Sequence, residues 1–174
     1  MDMDHDYWKN RWETGETGWH QTQVSPALAA AWPVLGLRGR ERVLVPFCGK
    51  SLDMVWLAQQ GHEVLGVEFA RPPIEQFFEE QKLTPVISPQ VDGIHQKAGR
   101  IEIIEADIFR VDRKSLAGCQ AVFDRGALIA QTPEQRSRYL DAIYGALPTG
   151  CRGLLLTIDY AQDAMPGPPF AVGQ

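Results

Sequence analysis

Arg42-Val43-Leu44-Val45-Pro46-Phe47-Cys48-Gly49-Lys50-Ser51 is an apolar run that stops at a proline and a turn glycine, and Glu63-Val64-Leu65-Gly66-Val67-Glu68 repeats the run after one amphipathic stretch. Arg42 to Val45 reads as a strand buried on both faces, because no polar residue alternates with the apolar ones. Ser51 to Gly61 reads as a helix, with Met54, Val55, Leu57 and Ala58 on one side and Gly61 as its stop. Strand, helix and strand in that order make a crossover unit, and the two strands must then run parallel.

The pattern extends outward from this unit. Pro73 to Lys82 is expected to be helical through Ile74, Phe77 and Phe78. Arg100 to Ala106, Gln120 to Asp124 and Gly153 to Asp159 read as a third, fourth and fifth strand, and Pro133 to Leu147 as a helix with Tyr139, Leu140, Ile143, Tyr144 and Leu147 at helical spacing. Leu83 to Gly99 holds Pro, Gly and polar residues and is expected to be a long loop. Upstream, Trp8 and Trp12 share a helix face, Gly15 and Gly18 end that helix, and Ser25-Pro26 opens another as N-cap and first residue. The fold class is therefore α/β: a Rossmann-like, doubly wound, mostly parallel sheet with helices on both faces. Residues 1–174 are expected to form one domain, with a helical segment at 1–36 and the Rossmann-like core at 37–174.

Composition excludes several function classes. A chain of 174 residues with 44% hydrophobic and 22% charged residues suits a single globular domain and no disordered or fibrous class. The 17 Lys and Arg against 22 Asp and Glu give a net charge of −5, which does not suit a binder of nucleic-acid phosphates. The longest apolar runs, Ala27 to Pro33 and Gly153 to Ile158, are too short to cross a bilayer. The acidic opening Met1 to Asp6 is unlike a signal peptide. Cys48, Cys119 and Cys151 are odd in number and widely spaced, so neither a disulfide framework nor a CxxC metal or redox motif is expected. The expectation is a cytoplasmic protein with no membrane partner and no metal.

In a doubly wound sheet, ligands sit beyond the carboxyl ends of the strands. Those ends here carry Pro46 to Ser51, then Glu68, Asp107-Ile108, Asp124-Arg125-Gly126 and Asp159-Tyr160. Gly49-Lys50-Ser51 fails as a phosphate loop, since the glycine required five positions before Gly49 is Leu44. The dinucleotide fingerprint fails as well, with Gly49 the lone glycine in the turn. Glu68 lies nineteen residues after Gly49 at the end of the second strand, where a carboxylate accepts both ribose hydroxyls or else caps the following loop. Asp107 and Ile108 at the next strand end favour the first reading, as a polar and apolar pair for an adenine. Ribose and adenine without a phosphate cradle point to S-adenosylmethionine.

Several blocks resemble the thiopurine S-methyltransferase family. They are Tyr7-Trp8-Lys9-Asn10-Arg11-Trp12, Gly18-Trp19-His20, the run from Val43 to Met54, Gly61 to Glu68, Phe123 to Leu128 and Gly167-Pro168-Pro169-Phe170. They fall in the family's order and span about Tyr7 to Phe170. The resemblance implies a class I methyltransferase fold and transfer of a methyl group from S-adenosyl-L-methionine to the sulfur of a small-molecule thiol acceptor. It implies that Trp8 covers the cofactor from an N-terminal lid, that Phe47 and Gly49 contact it, that Glu68 binds the ribose, and that Asp107 and Ile108 bind the adenine. Arg125 then lies near both cofactor and acceptor as the catalytic residue, and Trp19 walls the acceptor pocket. The family usually has Leu at the position of Phe47 and commonly Phe at that of Trp19.

Plainer readings stand beside these. Trp8 and Trp12 suit a hydrophobic cover over the sheet, which at the strand ends is also a lid. Arg125 could pair with Asp124 or Asp159 as a structural ion pair, although a buried guanidinium at a strand end is costly without a use. Cys48 reads as a small buried residue, since no base is placed beside it, and His95 as an exposed loop residue. The acceptor could instead be a selenium or tellurium compound or another small nucleophile, or the chain a non-catalytic S-adenosylmethionine binder; a Cys48 hydrolase is a third class. The family continues past Gly-Pro-Pro-Phe with further strands, so a core incomplete at its C-terminus is expected. The fifth strand is then expected to expose an apolar edge, in a monomer open to self-association.

Overall fold

In the computed structural model the described residues are 5–173, without the side chain of His5; the acidic opening therefore lies largely outside them. Seven strands form one sheet among them, in the order β3-β4-β5-β2-β1-β6-β7. β1 (Arg42–Pro46) lies near the middle and pairs in parallel with β2 (Glu63–Glu68) on one side and β6 (Ala121–Arg125) on the other. β5 (Ile101–Glu105) continues outward from β2, and β7 (Arg152–Leu156) outward from β6, again parallel. The chain thus winds one way through β2 and β5 and the other way through β6 and β7. A crevice opens at the carboxyl ends where the direction reverses.

Alternation along the central strands sends side chains to two cores. Val43, Val45, Val64, Ile103 and Phe123 pack on α2 (Pro26–Ala31), α3 (Leu52–Gln59) and α4 (Arg71–Glu80) through Leu28, Met54, Leu57, Ile74 and Phe77. Leu44, Leu65, Val67, Ile104 and Val122 face α5 (Arg113–Ala117) and α6 (Pro133–Ala142) through Leu116 and Tyr139. Both faces are covered, as the unbroken apolar strands require. Gly66 on β2 has a packing reason: a Cβ there would stand 2.7 Å from Cys48 Sγ and 3.0 Å from Met54 Sδ. No helix among the described residues is long and apolar enough to cross a membrane.

The structure corrects three expectations. Leu83 to Gly99 is not a loop; it holds β3 (Val86–Gln90) and β4 (Gly93–Ala98), an antiparallel hairpin that β4 joins to β5. His95 is not exposed: it is buried on β4, with Nδ1 2.7 Å from Glu102 Oε1 and Nε2 2.9 Å from Asp92 Oδ1. Both ring nitrogens face carboxylate oxygens. The helix expected to reach Leu147 stops at Ala142 and passes into a tighter turn at Tyr144–Ala146. β7 is an edge strand, paired among the described residues with β6 alone, and Leu155 on it is 39% exposed.

Candidate active site

A cavity of about 720 Å³ lies across the carboxyl ends of the central strands, under α1 (His5–Thr14) and the segment that follows it. Its floor is the turn after β1. Phe47 and Gly49 there have φ of 46° and 50°, a left-handed backbone that costs Phe47 strain and Gly49 little. Ser51 ends the turn as the N-cap of α3, its hydroxyl accepting from the Asp53 amide. The Cys48 thiol sits within the turn, 5% exposed, and burial together with the Glu68 charge pushes it well above the ordinary thiol range. A protonated, enclosed thiol has the wrong properties for a nucleophile.

Glu68 closes β2 at 3% exposure. One oxygen accepts from the Gly49 amide at 3.0 Å and the other from the Ala70 amide at 2.9 Å. Burial raises its pKa to about 7, and those backbone amides oppose the shift without cancelling it. Asp107 follows β5 and caps a short turn by accepting from the Phe109 amide at 3.0 Å. At the end of β6 two adjacent residues part company. Asp124 turns into the core, where it accepts from the hydroxyls of Tyr139 at 2.8 Å and Tyr144 at 3.0 Å and from the Leu128 amide at 3.1 Å. Arg125 turns into the cavity wall and donates from Nε to Asp53 Oδ2 at 2.9 Å.

Aromatic rings form the cover. Trp19 stands edge-on to Trp8 at 5.0 Å and to Trp12 at 5.7 Å between ring centres, and all three line the cavity. His20 lines it too, with its pKa lowered by burial and by the Lys50 charge. From the far end of the chain, Pro168 and Pro169 close another side. That segment is held by the Phe170 amide donating to Ile129 O at 2.7 Å and by the Tyr160 hydroxyl donating to Pro169 O at 2.6 Å.

Trp8, Trp19, Phe47, Gly49, Glu68, Asp107 and Arg125 therefore meet in one cavity, as their places in the sequence suggest. Ile108 does not join them: it is 2% exposed in the core under α6, and Phe69 and Phe109 take the apolar wall instead. The alternative pairing of Arg125 with Asp124 or Asp159 is also corrected, since its partner is Asp53. Asp53 escapes a sequence reading because an acid in a first helical turn is the ordinary complement of the helix dipole. Phe69 adjoins Glu68 and could have been found by following the strand one residue further.

These residues fit an adenine nucleoside joined to a cationic sulfur. The buried Glu68 carboxylate has acceptor capacity beyond its backbone amide bonds, Gly49 itself brings no side chain to the turn, and the turn carries no further glycine to form a phosphate cradle. Solved structures share the architecture. A Burkholderia thailandensis 1,6-didemethyltoxoflavin-N1-methyltransferase, solved with 1,6-didemethyltoxoflavin and S-adenosylhomocysteine, aligns with a TM-score of 0.60 at 21% identity, over 82% of this chain and 56% of that one. A TehB-like S-adenosylmethionine-dependent methyltransferase from Corynebacterium glutamicum aligns at 0.54 and 18% identity, over 85% and 69%. The fold and the cavity define a class I S-adenosylmethionine-dependent methyltransferase fold. The family profile described as Thiopurine S-methyltransferase (TPMT) matches residues 3–174. The thiopurine S-methyltransferase of Bordetella pertussis is 50% identical over 170 residues, 98% of this chain and 78% of that protein, and that of Xanthomonas campestris pv. campestris is 51% identical over the same shares. The chain belongs to the thiopurine S-methyltransferase family.

Proposed function

We propose that this chain transfers a methyl group from S-adenosylmethionine to the sulfur of a thiopurine or a related heterocyclic thiol. One observation carries the reading: Glu68 and Arg125, from strands on either side of β1, face a single aromatic-covered cavity. S-adenosylmethionine supplies a methyl group already activated by its sulfonium. Glu68 accepts the ribose hydroxyls, Asp107 accepts from the adenine amino group between Phe69 and Phe109, and the Gly49 backbone lies along the ligand. Ile108 supports that end from beneath, inside the core. Trp8 and Phe47 hold the cofactor from above and below, so the described part of residues 1–36, from α1 onward, acts as a lid.

Trp19 and Arg125 serve the acceptor. A heterocyclic thiol is acidic enough to ionise near neutral pH, and its proton leaves to solvent before transfer. The Arg125 guanidinium favours the thiolate by charge, while the aromatic walls hold it in line with the methyl–sulfur bond. The new sulfur–carbon bond forms as the sulfonium bond breaks, leaving S-adenosylhomocysteine and a methyl thioether. Three unpaired cysteines suit a reducing, cytoplasmic setting, which belongs to the same proposal.

The test combines calorimetry with S-adenosylhomocysteine and transfer of a labelled methyl group to a panel of thiopurines, thiophenol, selenite and tellurite. Binding together with transfer to the thiopurines is expected. Binding without transfer to any acceptor replaces the reading with a non-catalytic binder. Transfer confined to selenite or tellurite replaces the acceptor class.

A further inference from the structure

We infer that Asp53 is a positioning residue for Arg125, fixing the guanidinium in the pose that meets the acceptor and tying that pose to the N-terminal cover. The inference rests on the methyl-transfer reading above for what Arg125 does, though not for how it is held. Asp53 is 1% exposed, and its carboxylate has three donors, two from distant parts of the chain and one from the adjoining turn. Oδ1 accepts from the Ser25 amide at 2.7 Å, and Oδ2 accepts from Arg125 Nε at 2.9 Å and from the Ser51 hydroxyl at 3.1 Å. Ser25 is the N-cap of α2, Ser51 the N-cap of α3, and Arg125 the last residue of β6. A buried carboxylate is costly unless paired and hydrogen-bonded, and this one satisfies that condition by gathering the lid, the cofactor turn and the arginine at one point.

The pose has a chemical consequence. Nε and Nη2 form one edge of the guanidinium, and that edge is turned to Asp53 and Ser51, with Nη2 3.5 Å from Ser51 Oγ. The end edge, formed by Nη1 and the second N–H of Nη2, carries no protein hydrogen bond among the described residues. The arginine side chain is 24% exposed and lines the cavity. Two parallel donors at a fixed angle suit an occupant with two adjacent acceptor atoms, such as the sulfur and neighbouring ring nitrogen of a heterocyclic thiolate. Without Asp53 the charge of Arg125 survives, but its fixed angle does not. Lys50 cannot take over the role, because its ammonium is held by Glu80 at 2.7 Å.

Asp53→Asn, Arg125→Gln and the double variant test this with 6-mercaptopurine as acceptor. Asp53→Asn is expected to lower kcat/KM at least thirtyfold while the Kd of S-adenosylhomocysteine moves less than threefold. Added to Arg125→Gln, it is expected to cost less than a further threefold, since its effect runs through the arginine. Multiplicative losses in the double variant, or unchanged kcat/KM in Asp53→Asn, overturn the inference. Should Asp53→Asn fold poorly, Ser51→Ala removes the bond to Arg125 and both bonds to Asp53, the cap of α3 among them, and keeps both charges; a loss of at least threefold in kcat/KM that exceeds any change in S-adenosylhomocysteine affinity is expected, and no loss overturns the inference. A readout free of turnover is exchange of the Arg125 Nε–H with water by NMR, expected to be at least tenfold faster in Asp53→Asn or Ser51→Ala than in the parent chain. Equal exchange rates overturn the positioning role. A parent chain that binds S-adenosylhomocysteine yet methylates no thiol counts against the proposed function, and the exchange rates still decide the positioning.

Discussion

The indole of Trp12 closes on the Gly49 turn: a Cβ built at residue 49 stands 2.9 Å from Trp12 Cζ2, on a backbone with φ of +50°. The N-terminal helix is therefore seated on the loop that carries Phe47 and Gly49 of the proposed cofactor site. Gly49→Ala meets two penalties at once, the left-handed backbone at about 1–2 kcal/mol and the collision with Trp12. A lower denaturation midpoint and at least a tenfold weaker affinity for S-adenosylhomocysteine are expected. Adding Trp12→Ala relieves the collision alone, so stability recovers only in part.

Glu68 sets a pH dependence of known sign. Its folded pKa of about 7 lies above the ordinary 4.5, so the folded chain holds that proton longer than the unfolded one. The stability it contributes is complete below pH 4.5 and declines as pH rises toward 7. On the proposed function, ligand binding runs the other way, because the ribose hydroxyls would donate to the ionised carboxylate. Affinity for S-adenosylhomocysteine is expected to rise with pH up to about 7, with a proton released on binding below that. Calorimetry in two buffers of different ionisation enthalpy measures the release. Glu68→Gln should abolish it and weaken binding while stabilising the free chain at pH 8.

Tyr139→Phe removes one of two phenol donors from the Asp124 carboxylate, which burial already pushes above its usual range. The ring still stacks on Phe47, at 6.1 Å between centres, so the loss is that of the hydroxyl. A cost of about 1–3 kcal/mol in urea unfolding is expected. A variant as stable as the parent contradicts the assigned bond.

His95 joins β4 to β5 through Glu102 and braces the hairpin turn through Asp92; Asp92 in turn accepts from Ser115 on α5, and Glu102 pairs with Arg42. His95→Ala leaves two carboxylates facing an emptied site, with an expected loss of about 3 kcal/mol. For Asp92, burial works to raise the pKa, but the bonds from His95, Ser115 and the Asp112 amide outweigh it and the pKa is lowered from 3.8. Its stabilisation is then present above the ordinary 3.8 and lost as pH falls through the lower folded value. His95→Ala should raise the midpoint of acid unfolding.

The central strands were readable because β1 and β2 are buried on both faces and carry unbroken apolar residues. Their ends therefore pointed to the cavity, and Glu68 and Asp107 could be singled out from position, while the role of Arg125 came from the family resemblance. The hairpin was not readable, for two reasons. β3 is exposed along its whole length and contains Pro89, while β4 buries His95 and Gln96 where a half-buried strand ordinarily carries apolar side chains. Its two-residue turn is Val91-Asp92, and the Asp-Gly pair that marks tight hairpins falls one position late, with Gly93 already the first residue of β4. Asp53 and Ile108 show the limit for the site itself. Spacing places a residue at a strand end or in a helical turn, but which way its side chain turns depends on packing between distant segments.

Three of the five tryptophans, Trp8, Trp12 and Trp19, surround the cavity, and Trp19 is 37% exposed. Trp32 lies sealed in the core against His62 and Phe123. The chain thus carries a built-in optical gauge. Filling the cavity displaces water from the upper indoles and shifts their emission, while Trp32 supplies a steady background. Occupancy can be followed by intrinsic fluorescence, without label or turnover.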